Sequence, residues 1–314
     1  MYPPVTQIKL ISGISSFFAW ALLASSTELV ADTLDDDGKL NIIVFGAHPD
    51  DAELEAGGTA ALWAAAGHHV KFVSTTNGDI GHAREAGAPL ARRRTEEVKR
   101  ADAILGVKAT EVYDIHDGEI MPTLENRRKI TKSIREWNAD VVIAHRPNDY
   151  HPDHRYTGIL VQDAAFMVIV KSFMPLVPNL TKNPVFLYTE DGFQKPNPMD
   201  PDIVVSIDSV IDQKIDALWE LESQIESYWA TRDFESVIPV PASGQEREAR
   251  KAQLAQRMKV RYGNIANRFR AKLIELYGRK IGSEVKYAEA FELCEYGRQP
   301  SRDELMEIFP FFGE

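Results

Sequence analysis

The chain has 314 residues, of which 44% are hydrophobic and 26% charged, an ordinary composition for a globular protein with a substantial core. The formal net charge is −11, and the arginine run at 92–94 is followed by Glu96 and Glu97, so nucleic acid is not an expected partner. The single cysteine, Cys294, excludes an intrachain disulfide and a cysteine-based metal site, which leaves histidine and carboxylate ligands for any metal.

The N-terminal segment has the pattern of an export signal. Lys9 precedes an apolar stretch at 10–24, which is short for a membrane span but suits a signal-peptide core. We expect a signal peptide at 1–31, a linker at 32–39 and one domain at 40–314, in a protein that is secreted, periplasmic or held in the cell envelope. A retained anchor and a structural segment of a cytoplasmic protein are the alternatives.

From Leu40 onward, predicted strands and helices alternate. The predicted strands are 41–46, 69–75, 111–115, 140–144, 185–188 and 203–207. The predicted helices are 59–66, 90–105, 124–137, 153–170, 213–228 and 245–277. This alternation indicates an α/β fold with a Rossmann-like, mainly parallel sheet flanked by helices and a C-terminal helical elaboration. The G-x-G-x-x-G spacing of dinucleotide sites is absent around Gly57-Gly58.

Two histidine–aspartate clusters follow hydrophobic strands. His48-Pro49-Asp50-Asp51 comes after the strand at 41–46, and His151-Pro152-Asp153-His154 comes after the strand at 140–144. Ligands bind at the carboxyl ends of strands in open α/β sheets, so we expect the two clusters to meet at one rim. The pattern predicts a metal site with catalytic carboxylates.

The residue types suit hydrolysis of an amide. His48, Asp51 and His154 offer two imidazoles and a carboxylate, which are sufficient to hold zinc or iron(II). A metal at this site would activate water and polarise the carbonyl group. Asp50 is next to a ligand but points differently, so it is available as the general base.

The second cluster is also typical of a helix start. Pro152 suits the first helical position, which needs no N–H, and His151 would then occupy the cap. Asp153 would fix the tautomer of a ligating histidine.

The clusters resemble the two signatures of the PIG-L/LmbE-like family of zinc-dependent de-N-acetylases that act on N-acetylglucosamine conjugates. The matching segments are 47–53, 57–59, 76–79, 94 with 97, 105–107, 117–118, 151–154, 223–224 and 288–291. The resemblance covers roughly residues 40–295. Many members have Glu directly after the second Asp, whereas here Ala52 precedes Glu53, a spacing that is similar to the bacillithiol-pathway branch.

The resemblance implies a role for each member of the clusters: zinc ligands at His48, Asp51 and His154, a general base at Asp50 and an oxyanion-stabilising group at His151. It also implies that Arg94 and Asp117 bind sugar hydroxyl groups. A helix-surface ion pair and a turn are the structural alternatives for these last two residues.

We therefore expect a zinc-dependent N-deacetylase, a hydrolase of linear amides that removes the acetyl group from an N-acetylglucosamine-type sugar or its conjugate. The expected cofactor is Zn²⁺, with Fe²⁺ as the other candidate, and the expected partner is a small-molecule or glycan substrate. The alternatives are a non-haem iron(II) oxygenase with a two-histidine, one-carboxylate triad and a catalytically silent carbohydrate-binding relative. The sequence leaves the oligomeric state open, a homo-oligomer included.

Overall fold

The computed structural model describes residues 37–227, 229 and 236–312, so the predicted signal peptide at 1–31 lies outside the described residues. The described strands are β1 (Asn41–Gly46), β2 (His69–Ser74), β3 (Ala109–Val112), β4 (Val141–Ala144), β5 (Val185–Thr189), β6 (Ile203–Ser206) and β7 (Ala288–Gly297). The described α-helices are α1 (Asp51–Ala65), α2 (Ala88–Leu105), α3 (Leu124–Glu136), α4 (Pro152–Met167), α5 (Ile211–Trp219), α6 (Glu222–Glu226), α7 (Gln245–Arg268), α8 (Arg270–Gly282) and α9 (Arg302–Ile308).

These strands form one sheet in the order β3-β2-β1-β4-β5-β7-β6. The first five are parallel, and β7 runs antiparallel to both β5 and β6. The predicted mainly parallel α/β fold is therefore confirmed. The chain moves outward from β1 to β3 and then returns to place β4 on the other side of β1, which makes the β1–β4 boundary the switch point where such folds bind ligands.

Side chains of β1 face two cores. Ile42 and Val44 pack with residues of α1, α2, α5 and α7, whereas Ile43 and Phe45 pack with residues of α3 and α4. A strand that is covered by helices on both faces has apolar side chains at nearly every position. The apolar run at 41–46 therefore predicts this strand from the sequence. Among the described helices, none has the length and hydropathy to cross a bilayer.

The C-terminal half departs from expectation. The predicted long helices at 213–228 and 245–277 are wrong over the described residues, because helical structure breaks after Trp219 and at Phe269. Leu221 at the first break is fully buried, and Phe269 packs against the same core, so packing outweighs helical continuity. Strand β7 was not predicted, and it separates β5 from β6.

Candidate metal and active site at the ends of β1 and β4

Pairing of β1 with β4 brings the two clusters together. Phe45 and Ala144 are partners in register, so both loops leave the sheet at the same edge. The first loop turns sharply: the backbone N–H of His48 donates to Asp51 Oδ2 at 2.8 Å, and α1 begins at Asp51. A Cβ on Gly46 would lie 2.7 Å from Asp51 Cβ, so this turn requires glycine.

Three donor atoms of the predicted ligands converge on one point. His48 Nδ1 lies 3.3 Å from Asp51 Oδ2 and 3.2 Å from His154 Nε2, and His154 Nε2 lies 3.5 Å from Asp51 Oδ2. Tetrahedral zinc with bonds of about 2.0–2.1 Å separates its ligand atoms by roughly 3.3–3.4 Å. The donor set therefore fits a zinc-sized ion in both chemistry and spacing.

Carboxylates behind the two histidines select their tautomers. His48 Nε2 lies 3.1 Å from Asp117 Oδ1 and 3.4 Å from Asp153 Oδ2, and His154 Nδ1 lies 3.2 Å from Asp149 Oδ1. Each carboxylate favours a proton on the nitrogen beside it, which leaves the opposite nitrogen free to bind a cation. Asp153 thus occupies the predicted supporting position.

The side chains of Asp117 and Arg94 bind other residues of the chain. Burial opposes ionisation of Asp117, but the hydrogen bond with His48 brings its pKa below the usual value. Arg94 is buried and donates to Asp50 Oδ1 at 3.1 Å and to the carbonyl oxygens of Gly78 and Pro49. Their predicted contacts with sugar hydroxyls stay predictions, although both residues line the cavity.

Asp50 lies beside the donor triangle, on the cavity wall. Burial raises the pKa of its carboxyl group above the ordinary value, and the Arg94 guanidinium opposes the shift. A carboxylate with a raised pKa is a better proton acceptor, which suits a general base near neutral pH.

His151 caps α4, as predicted, with Pro152 in the first turn. The backbone N–H of Asp153 donates to His151 Nδ1 at 3.2 Å, so that nitrogen carries a lone pair and Nε2 carries the proton. Burial and the neighbouring His48 and His154 lower the pKa of His151. The ring is therefore a neutral hydrogen-bond donor on the cavity wall.

Two polar residues that contact the proposed ligands were not predicted. Asp149 supports His154, and His145 lies directly after β4, buried against Asp51 and His154. Both belong to the segment 145–150, which lies between the end of β4 and the second cluster. That position in the sequence is the feature from which they could have been predicted as site residues.

The site opens into a cavity of about 450 Å³, within the range of small-molecule sites. Its described lining residues are His48, Asp50, Asp51, Leu54, Ile80, Gly81, Arg94, Asp117, Tyr150, His151, His154, Gln224 and Trp229.

The sequence matches a known protein family and several of its members. The family model for PIG-L, described as GlcNAc-PI de-N-acetylase, matches residues 43–165. The chain is 32% identical over 200 residues to diacetylchitobiose deacetylase of Thermococcus kodakarensis. This aligned region covers 60% of this chain and 72% of the relative. It is 30% identical over 203 residues to a probable N-acetyl-alpha-D-glucosaminyl L-malate deacetylase of Bacillus cereus, across 60% of this chain and 84% of the relative.

A solved structure shows the same fold. N,N'-diacetylchitobiose deacetylase from Pyrococcus horikoshii superposes with a TM-score of 0.59 at 21% identity. The superposition covers 81% of this chain and 83% of the other. At this identity the likeness concerns the fold alone.

Proposed function

Because the chain belongs to the PIG-L family of de-N-acetylases, we propose that it hydrolyses the N-acetyl amide of an N-acetylglucosamine-type sugar or conjugate with the help of a bound metal ion. The observation that carries the proposal is the donor triangle of His48 Nδ1, Asp51 Oδ2 and His154 Nε2, with edges of 3.2 to 3.5 Å. The triangle lies on the wall of the cavity, beside a carboxylate that is not part of it.

The donor set supports zinc, with iron(II) as the other candidate, because both ions accept two imidazoles and a carboxylate. When bound, such an ion supplies a Lewis acid that polarises the amide carbonyl and lowers the pKa of a nearby water. His48 and His154 are oriented by carboxylates for this task.

Asp50 is the proposed base. Its carboxylate takes a proton from the water that attacks the acetyl carbonyl carbon, and it then returns that proton to the sugar nitrogen as the C–N bond breaks. The products are acetic acid and the free amine, which at neutral pH become acetate and an ammonium group by transfer of the acid proton, and Asp50 ends in its starting state. Arg94 holds Asp50 through a contact of 3.1 Å.

His151 is the proposed donor to the developing oxyanion. Because Nδ1 caps α4, Nε2–H is the polar group of the ring that no other described residue engages. A neutral donor aimed at the position where charge develops stabilises the transition state without reorganisation.

The two alternatives are not favoured. A non-haem iron(II) oxygenase would need the same triad, but the matching family model and the two relatives described above are named as deacetylases. A silent carbohydrate-binding protein would not need a base, an oxyanion donor and supported ligands together at one cavity.

The test is acetate release from N-acetylated amino sugars by the purified protein. We expect turnover with added zinc or iron(II), loss of turnover after chelation, and recovery on adding metal back. An N-acetylated amino acid serves as the control amide. A metal-loaded, folded protein that releases acetate from none of the sugars would contradict the proposal.

We further propose that the protein is exported. The support is the pattern of Lys9 followed by the apolar stretch at 10–24. N-terminal sequencing of protein recovered from the native cell envelope should find a chain that begins between Ser25 and Asp32. An intact Met1 on protein from the cytoplasmic fraction would contradict export.

A further inference from the structure

An exposed apolar loop follows α4. Leu176, within the loop at 168–180, is 97% exposed. Phe166, in the last turn of α4, is 65% exposed, and Ile169 at the start of the loop also faces solvent. Single apolar side chains are common on protein surfaces, whereas a group of them is typical of an interaction surface. The group of three in this short segment therefore indicates such a surface.

One buried guanidinium holds the loop in shape. Arg135, near the end of α3, donates to the backbone carbonyl oxygens of Met167, Val168, Val170, Met174 and Val177. The backbone N–H of Leu180 donates to the carbonyl oxygen of Val168 at 3.0 Å and closes the loop. Because five carbonyl oxygens of the segment meet on one group, the exposed apolar side chains are presented close together by an ordered backbone.

The charged side chains of the loop are basic. Residues 164–189 include two lysines and no arginine or acidic residue. One of the two, Lys171, is exposed and has no ion pair among the described residues, whereas Lys182 lies near an acidic side chain of α9. Arg128 of α3 adds a cation beside the loop, with its guanidinium carbon 5.9 Å from the ring centre of Phe173. The loop thus combines apolar and positive groups in a chain whose net charge is −11.

The loop and the catalytic cavity lie at opposite ends of α4. His154 is in the first turn of this 16-residue helix, so the last turn lies about 24 Å from the first residue. The loop end of the helix is on the side where β1 begins, because Asn41 Nδ2 donates to the carbonyl oxygen of Asn138 directly after α3. Asp37 is on that side too, with Oδ2 at 3.1 Å from His69 Nε2 at the start of β2. The predicted export segment is therefore attached to the side of the domain that carries the loop.

From these observations we propose that the loop binds the surface of a bilayer that contains anionic lipids. Exposed leucine, isoleucine and phenylalanine beside lysine and arginine is the composition that inserts shallowly at lipid headgroups. A second copy of the chain is a poorer occupant, since a two-fold contact through the loop would bring the positive charges of both copies together. In the bound protein, the cavity at the other end of α4 faces away from the bilayer. The inference uses no residue of the cavity and is independent of the deacetylase function.

Co-sedimentation of the full chain with vesicles tests the binding. We expect tighter binding to vesicles that contain phosphatidylglycerol than to phosphatidylcholine alone, and weaker binding as salt is added. Leu176→Asp should weaken binding by about tenfold or more, and Lys171→Gln by about fivefold. Val260→Asp is the matched control, because Val260 is 57% exposed on α7, which covers the other face of the sheet. No binding by the folded wild type, or equal binding by Leu176→Asp, would overturn the inference.

A fluorescent label shows which part of the chain enters the lipid. Cys294 is the single cysteine and is buried, so a thiol introduced by Leu176→Cys or Val260→Cys can be labelled selectively with an environment-sensitive dye. Vesicles with phosphatidylglycerol should shift the emission of the dye to the blue at 176 and leave it unchanged at 260. Vesicle binding without a shift at 176 would assign the contact to another segment. A dimer that Leu176→Asp dissociates, without vesicle binding, would assign the loop to a second copy, and either result overturns the inference.

Discussion

The ring of His145 stacks on the ring of His154, with centroids 4.1 Å apart and planes inclined by 10°. The backbone N–H of Ala47 donates to His145 Nε2 at 3.0 Å, and His145 Nδ1 lies 3.4 Å from Glu55 Oε2. His145 therefore connects the loop after β1 to the loop after β4, and it holds a proposed metal ligand in place through its face.

We predict that His145→Phe weakens zinc binding by about 10- to 100-fold, the range found for groups that support metal ligands. Phenylalanine keeps the stacked ring but cannot accept the Ala47 N–H bond or contact Glu55. Zinc titration against a competing chelator measures the effect. His145→Gln, which can accept that hydrogen bond, should recover part of the affinity, and His69→Phe, at the other end of the sheet, is the control. Wild-type affinity in His145→Phe would show that His145 does not position the ligands.

Removing a proposed ligand should remove the metal. We expect about one zinc or iron per wild-type chain, and large losses in His48→Ala, Asp51→Ala and His154→Ala, because a site with three protein ligands has no redundancy. Elemental analysis after dialysis measures the content, with His69→Ala as the matched histidine control. Full occupancy in all three variants would refute the assignment.

Asp50→Asn separates the base from the ligands. Asparagine keeps the size of the side chain but cannot accept the proton, so kcat should fall by a factor on the order of 10² to 10⁴ while metal content persists. Asp163→Asn, which removes a carboxylate paired with Arg127 on the partly exposed side of α4, should leave kcat unchanged. Near wild-type turnover by metal-loaded Asp50→Asn would rule out this mechanism.

His151 has two functions, and one substitution can separate them. Asparagine is a good helix cap, so His151→Asn should preserve the start of α4 but lose the donor that reaches the oxyanion. We expect an unchanged melting temperature, retained metal and a drop in kcat of about 10²- to 10³-fold. If the loss of activity is explained by a lower melting temperature alone, His151 acts as a helix cap and does not stabilise the oxyanion.

The stability of the fold should depend on a buried carboxyl pair behind α1. Burial raises the pKa of Asp102 to about 7, and Asp102 lies beside the buried Glu53. Because its folded-state pKa lies above the unfolded value of 3.8, the contribution of Asp102 to stability is complete below that value and is lost as pH rises from there to about 7. Asp102→Asn mimics the protonated form, so its melting temperature should fall less than that of the wild type between pH 5 and pH 8. Asp216→Asn, at an exposed ion pair with Lys251, is the control, and equal slopes in all three proteins would contradict the prediction.

Short-range patterns in the sequence carry the architecture of the first half of the domain. The apolar run at 41–46 predicts a buried strand, and Pro152 after His151 predicts the start of a helix. Both patterns involve only residues that are close together in the sequence, so they can be recognised without the tertiary structure. The C-terminal half is harder to read. Strand β7 pairs with β5 and β6 through contacts between residues far apart in the chain, and the helix breaks at Leu221 and Phe269 follow from core packing rather than from local propensity.

The sequence by itself determined which chemistry is available: two histidine–aspartate clusters at two strand ends, with cysteine excluded as a ligand. The tertiary structure decided which of these residues contact one another and which role each can have at the site. Only the register of β1 against β4 places His48 and His154 in contact, and only their surroundings turn Asp117 and Asp149 toward histidines. The physical reason is that a ligand set needs positions accurate to a few tenths of an ångström, and strand pairing sets such positions between residues about a hundred apart in the chain.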